Sequence, residues 1–145
     1  MITPAEWAAF IMPGLRILIA DDHEAVRKGI RSLINHHDDW EVLAEAVDGM
    51  DAVGKATQLH PDVILLDVAM PNMNGFQAAQ KILKSTPEAK VLMVTVNADK
   101  HTAREARHVG ARGFISKVDV VRDLIRAIET IQKDEKFFPL LAAEA

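Results

Sequence analysis

The sequence predicts an α/β fold: one parallel sheet with helices on both faces. Two observations carry this prediction. Short apolar runs alternate five times with segments of helical periodicity, and parallel neighbours in a sheet need such helical crossovers. Two of the runs, Val63 to Leu66 and Val91 to Val94, are apolar without interruption, as strands buried on both faces are.

The first strand candidate, Leu15 to Ala20, ends in Asp21-Asp22. Val26, Ile30, Leu33 and Ile34 then recur at helical spacing with Arg27, Lys28 and Arg31 between them. Glu41 to Val47 is the second strand, closed by Asp48-Gly49, and Ala52, Val53, Ala56 and Leu59 mark a helix that Pro61 ends. The third strand runs from Val63 to Leu66 and reaches Asp67. Met70-Pro71-Asn72-Met73-Asn74-Gly75 is a loop by its Pro, Asn and Gly content, with Met70 and Met73 packing it. Phe76, Ala79, Ile82 and Leu83 form the next helix, stopped near Pro87. The fourth strand, Val91 to Val94, reaches Thr95, and a polar helix spans Asp99 to Val109 before Gly110. Gly113-Phe114-Ile115 is a short strand leading to Lys117, and Val121, Leu124, Ile125, Ile128 and Ile131 form the last amphipathic helix. Right-handed crossovers divide the five helices between the two faces. The expected arrangement is a flavodoxin-like three-layer sandwich with strand order 2-1-3-4-5, in which Asp22 and Asp67 would face each other across the switch point.

At 145 residues the chain holds one domain. Its 17 basic and 21 acidic residues leave a net charge of −4, which argues against direct nucleic-acid binding by this chain. Hydrophobic residues at 49% and charged residues at 26% fit a packed core rather than disorder. The absence of cysteine excludes disulfides, thiolate zinc sites and cysteine nucleophiles, and it fits a cytoplasmic location. No apolar run reaches the ~18 residues that a membrane span needs. Residues 1–14 are read as a leader or arm: Ala8 to Met12 is apolar, but no Lys or Arg precedes it and Pro13-Gly14 breaks it. The domain proper is assigned to 15–133. Residues 134–145 are a tail or the start of a linker, although Phe137-Phe138-Pro139-Leu140-Leu141 is too apolar for a free linker.

The polar residues that can do chemistry sit at the C-terminal ends of strands: Asp21 and Asp22, Asp67, Thr95 and Lys117. Open α/β sheets bind ligands just outside those ends. Alone, an acid before a helix is an N-cap and an acid after a strand is turn chemistry; it is the joint arrangement that points to a site. Crowded carboxylates invite a divalent cation, and an all-oxygen set favours Mg²⁺ over zinc. A carboxylate is also a nucleophile able to form an acyl phosphate. Lys117 offers a point charge to phosphoryl oxygens, and the Thr95 hydroxyl a hydrogen bond. The six histidines are read as solvated surface: His36 and His37 are adjacent and cannot share a helix face, and His101 and His108 are too far apart for one ion.

Arg16-Ile17-Leu18-Ile19-Ala20-Asp21-Asp22-His23 and the stretch from Asp67 through Met70-Pro71 to Gly75, followed by Thr95 and Phe114-Ile115-Ser116-Lys117, resemble the receiver domain of bacterial two-component response regulators. Asp21-Asp22-His23 and Gly110-Ala111-Arg112-Gly113-Phe114 are similar to the LuxR-type group, which includes NarL- and FixJ-like regulators. The resemblance implies that Asp67 is the phosphoacceptor, Asp22 a direct Mg²⁺ ligand, Asp21 a ligand through water, and the Ala69 backbone carbonyl a third protein ligand. It further implies that Thr95 and Phe114 form the switch pair and that Lys117 pairs with the phosphoryl group. A histidine kinase would be the phosphoryl donor, and the last helices would carry a homodimer. Such a domain is a signalling module rather than an enzyme, its only chemistry being its own phosphotransfer and slow autodephosphorylation. It serves in a transcriptional regulator or as a stand-alone receiver. Ala69 and Asn97, two residues beyond Asp67 and Thr95, would tune that dephosphorylation.

Some positions depart from the pattern. Val118 stands where many receivers have a proline after a cis bond, so a trans bond is expected here, and Asn74 replaces a common Asp. Three readings compete; one, a degenerate receiver serving only as an interaction module, usually lacks the acid pair or the phosphoacceptor, and this sequence retains both. A flavin binder needs a phosphate-cradling first loop, which Asp21-Asp22 opposes. A haloacid-dehalogenase-type phosphatase needs a second Asp where Ala69 stands.

Overall fold

The computed structural model describes residues 1–4 and 14–143. Residues 5–13, most of the expected leader, lie outside the described residues. Among the described residues from Leu15 onward, five strands alternate with five helices: β1 (Leu15–Ala20), α1 (Glu24–Asn35), β2 (Trp40–Ala46), α2 (Gly49–Leu59), β3 (Val63–Asp67), α3 (Gly75–Ser85), β4 (Lys90–Thr95), α4 (Lys100–Val109), β5 (Gly113–Ser116) and α5 (Val120–Gln132). The sheet order is β2-β1-β3-β4-β5 with every pair parallel, as the sequence predicts.

Alternation along the strands sorts the core into two layers, because successive side chains of a strand point to opposite faces. Leu18, Ile64, Leu66, Met93 and Phe114 pack with Ala52, Ala56, Ala78 and Ile82 beneath α2, α3 and α4. Ile17, Ile19, Leu65, Val94 and Ile115 pack with Ile30, Ile34, Leu124, Ile128 and Ile131 from α1 and α5. The starts of α2, α3 and α4 carry side-chain caps that stop fraying. Asp48 accepts from the Asp51 N–H, Asp99 from the Thr102 N–H, and Asn74 forms a capping box with Gln77. Asn74 thus has a structural role at the foot of α3. Gly110, at φ 103°, ends α4 in the left-handed conformation that suits glycine. α4 itself buries only Ala103 and Ala106.

β2 begins one residue earlier than the sequence reading placed it and ends one residue earlier. Trp40 pairs with Leu15 and is buried, whereas Val47 leaves the sheet and donates its N–H to Asp51 Oδ2 at 3.0 Å.

The apolar tail folds back on the sheet. Phe137 donates its N–H to the Arg112 carbonyl and accepts from the Phe114 N–H, both at 2.9 Å, which sets it parallel beside β5. Lys90 holds Asp134 at 2.9 Å, and the Arg126 guanidinium lies 5.2 Å from the Phe137 ring centre. A 3₁₀ turn, Pro139–Leu141, then seats Leu141 in the layer that contains Ala103, Ala106 and Phe114.

Leu141 is 3% exposed and Leu140 39%. Leu141→Ala should therefore cost about 2–3 kcal/mol through lost burial and the cavity left behind, whereas Leu140→Ala should stay within about 0.5 kcal/mol. Urea unfolding of the two variants measures the difference, and equal stabilities would show that the tail is not part of the core.

Candidate functional site

The parallel register brings the polar strand ends to one rim. Ala20 pairs with both Ala46 and Leu66, Asp67 with Val94, and Thr95 with Ser116. Asp21, Asp67, Thr95 and Lys117 therefore stand within one residue of a common level, at the C-terminal ends of β1, β3, β4 and β5.

Asp21 is buried and Asp22 exposed. Neither caps α1; the N-cap is His23, whose side chain makes no capping bond. The Asp21 carboxylate instead shapes the turn, Oδ1 accepting from the His23 N–H at 2.8 Å. Arg27 secures the same turn from behind, with Nη1 on the Asp21 carbonyl at 2.7 Å and Nε on Glu45 Oε1 at 2.9 Å. Burial pushes the Glu45 carboxyl up, but the guanidiniums of Arg31 and Arg27 outweigh it and hold the group below the usual carboxylate range.

The loop after β3 and the start of α3 fix Asp67. Its Oδ1 accepts from the Ala69 N–H at 3.3 Å. The start of α3 presses on its backbone: Gly75 donates to the Val68 carbonyl at 2.8 Å, and a Cβ at Gly75 would lie 2.2 Å from the Asp67 carbonyl oxygen. Only glycine fits there. The loop is also braced on α2, where a Cβ at Gly49 would lie 2.2 Å from the Met73 carbonyl oxygen. Met70 is buried and Met73 packs beside it, in the loop-packing role the sequence indicates.

Lys117 closes the site. Its Nζ lies 2.6 Å from Asp21 Oδ2 and 3.1 Å from Asp67 Oδ2. Burial lowers the pKa of this ammonium, but its bonds to the two carboxylates more than compensate and the net shift is upward. Asp67 also shifts upward: burial raises it, Lys117 opposes this, and the neighbouring Asp21 charge adds to the rise. Thr95 and Phe114 are both buried on adjacent strands. Asn97 and Ala69 lie at the rim, both at least partly open to solvent. No cis peptide bond occurs among the described residues, so the Lys117–Val118 bond is trans.

Asp21, Asp22 and Asp67 each offer a carboxylate oxygen, and His23 a ring nitrogen, all within 4.8 Å of one another. Three carboxylates and one ammonium sum to −3 + 1 = −2, a charge that suits a divalent cation among oxygen ligands. The donor set therefore fits such an ion.

The model of the response regulator receiver domain matches residues 17–129, a span that includes every polar residue of this rim. The chain belongs to the response regulator receiver family. It is 39% identical over 124 residues to the oxygen regulatory protein NreC of Staphylococcus aureus, covering 85% of this chain and 57% of that protein. The chain thus spans little more than half the length of that relative. Among solved structures, it resembles a LuxR-family two-component response regulator from Aurantimonas sp. SI85-9A1, with a TM-score of 0.83 and 31% identity, covering 86% of this chain and 89% of that one. The isolated receiver domain of RcsB from Salmonella enterica serovar Typhimurium, solved with the phosphomimetic BeF₃⁻, gives 0.81 at 25% identity, covering 87% and 94%. The receiver is of the LuxR/NarL type that the sequence motifs indicate, and its aspartate cluster fits a phosphorylation site. The flavin-binder and phosphatase readings fall with this assignment.

The sequence reading of the histidines needs two corrections. His37 is half-buried and stacks on Trp40 with ring centres 3.8 Å apart, its Nδ1 enclosed without a partner. His23 Nδ1 lies 3.2 Å from Asp21 Oδ1 and 3.1 Å from Asp22 Oδ1, so it is part of the pocket. The bracing roles of Arg27, Glu45, Gly49 and Gly75 were also absent from the sequence reading.

Because the folded Asp67 pKa is raised, the fold favours its protonated form. Its ionisation costs stability as pH rises from the ordinary value of 3.8 through the raised one. Asp67→Asn, a neutral isostere, should stabilise the fold at neutral pH, and the gain should vanish as pH falls to that ordinary value. Unfolding curves across that range measure it; a gain that does not depend on pH would show that the Asp67 charge is not its source.

Proposed function

We propose that this chain accepts a phosphoryl group onto Asp67 from a histidine kinase, in a divalent cation site for which Mg²⁺ is the ordinary ion. The observation that carries this reading is the Asp67 carboxylate itself: 3% exposed, at the rim of the sheet, between an acid pair and an ammonium. An Asp67 carboxylate oxygen attacks the phosphorus, the phosphorus–nitrogen bond of the donor phosphohistidine breaks, and the freed imidazole nitrogen leaves with the electron pair and takes a proton from solvent. The product is an acyl phosphate. Asp21, Asp22, Asp67 and the Ala69 carbonyl are the protein ligands in this proposal. When bound, the ion supplies positive charge to the phosphoryl oxygens. Lys117 moves its ammonium from the Asp67 carboxylate to one of those oxygens, and the Thr95 hydroxyl donates to another.

Thr95 and Phe114 then carry the change to the face formed by α4, β5 and α5. That α4 buries only two alanines supports its role as the element that shifts, since an element with few apolar anchors moves at low cost. Its regulator relatives support a role in a cytoplasmic transcriptional regulator or as a stand-alone receiver, with an active form that is a homodimer through the last helices. Autodephosphorylation is slow to intermediate, because Ala69 has no polar atom to orient a water and Asn97 is no general base.

Incubation with acetyl phosphate and Mg²⁺ should add one phosphoryl group, and Asp67→Asn should not take it; equal labelling of that variant would refute the assignment. On a phosphate-affinity gel after donor removal, Ala69→Asn should shorten the lifetime of the phosphorylated form severalfold, and a change at Asn97 should also alter it. Thr95→Ala should still be phosphorylated but should no longer change its dimerisation; coupling retained in full would remove the hydroxyl from the switch.

A further inference from the structure

The imidazole of His23 stands where a cation ligand would stand. Its Nδ1 is 3.2 Å from Asp21 Oδ1 and 3.1 Å from Asp22 Oδ1. Adjacent ligands on an octahedron with bonds of about 2.1 Å lie about 3.0 Å apart, so the nitrogen stands from each of the two oxygens at about the spacing of neighbouring ligands. The fold gives the ring no other role there. The turn uses the His23 backbone N–H, the side chain makes no capping bond to the helix, and the 66% exposed ring makes its polar contacts with Asp21 and Asp22. Asp21 also divides its oxygens. Lys117 takes Oδ2 and His23 approaches Oδ1, so an ion on the His23 side does not require the ammonium to leave.

We propose that His23 contributes Nδ1 as a ligand and thereby biases this pocket toward a first-row transition cation such as Mn²⁺ over Mg²⁺, an inference that rests on the reading of the acid cluster as a cation site. Imidazole suits transition cations, whereas Mg²⁺ prefers carboxylate, carbonyl and water. With its proton on Nε2, the neutral ring presents the Nδ1 lone pair to the pocket. Asp22, exposed beside His23, completes the outer side of the site.

The test is titration of the full chain with Mn²⁺ and with Mg²⁺ by calorimetry, alongside His23→Ala and Asp22→Ala, with pulsed EPR of the Mn²⁺ samples. The chain should favour Mn²⁺ over Mg²⁺ by a ratio that falls roughly tenfold or more in His23→Ala, the scale on which even outer-shell partners act. The EPR should show coupling to a ¹⁴N nucleus that the variant lacks. An unchanged ratio without nitrogen coupling would overturn the proposal, as would a His23→Ala that binds Mg²⁺ more tightly and Mn²⁺ equally, since the ring would then only obstruct the site. If neither ion binds, or Asp22→Ala binds both as the unaltered chain does, the cation site itself fails and the phosphotransfer reading with it.

Discussion

One ammonium joins the ends of three strands. Lys117 follows β5, yet its Nζ contacts Asp21 after β1 and Asp67 at the end of β3. Two buried carboxylates a few ångströms apart are costly unless a positive charge stands between them. Much of the local architecture serves that meeting. The 3₁₀ turn after β5 aims the lysine inward, Arg27 and Glu45 fix the turn that carries Asp21, and the glycine at the start of α3 lets the helix close on Asp67. The pairing gives the two buried carboxylates a compensating charge from the chain itself.

The sheet makes such a site possible because its two faces differ in work. The α1/α5 layer is built from large aliphatic side chains, Ile30, Ile34, Leu124, Ile128 and Ile131, whereas the α2/α3/α4 layer uses many alanines. A helix anchored by few large apolar side chains opens more readily than one anchored by many. The rigid layer sits behind the acid turn and holds its geometry. The alanine layer lies beneath α4 and includes Phe114, on the strand next to Thr95.

The fold was legible because each strand is an apolar run that stops at a polar residue, and the same stops name the site: Asp21-Asp22, Asp67, Thr95 and Lys117. What escaped the sequence depends on distances across the fold. Gly75 reads as a loop signal, and its actual constraint is the Asp67 carbonyl 2.2 Å from any Cβ. Arg27 and Glu45 meet across 18 residues of chain, which no local pattern reveals. His23 follows two acids, a context that looks solvated until the turn directs the ring back over them. His37 stacks on Trp40 because the chain turns between them, the Trp40 N–H donating to the His37 carbonyl at 3.1 Å. Composition marked the tail as too apolar to hang free, but its destination beside β5 is a matter of backbone pairing.

That pairing bears on how the molecule behaves in a crowd. β5 is the last strand of the sheet, and an edge strand presents unpaired amides and carbonyls that can recruit another chain. Phe137 takes up the Arg112 carbonyl and the Phe114 amide on that edge, and Lys90 and Arg112 draw Asp134 in beside it. A protein with this segment displaced would carry an open, apolar strand next to Phe114. Such an edge templates intermolecular sheet growth, so the segment acts as a guard against self-association into aggregates.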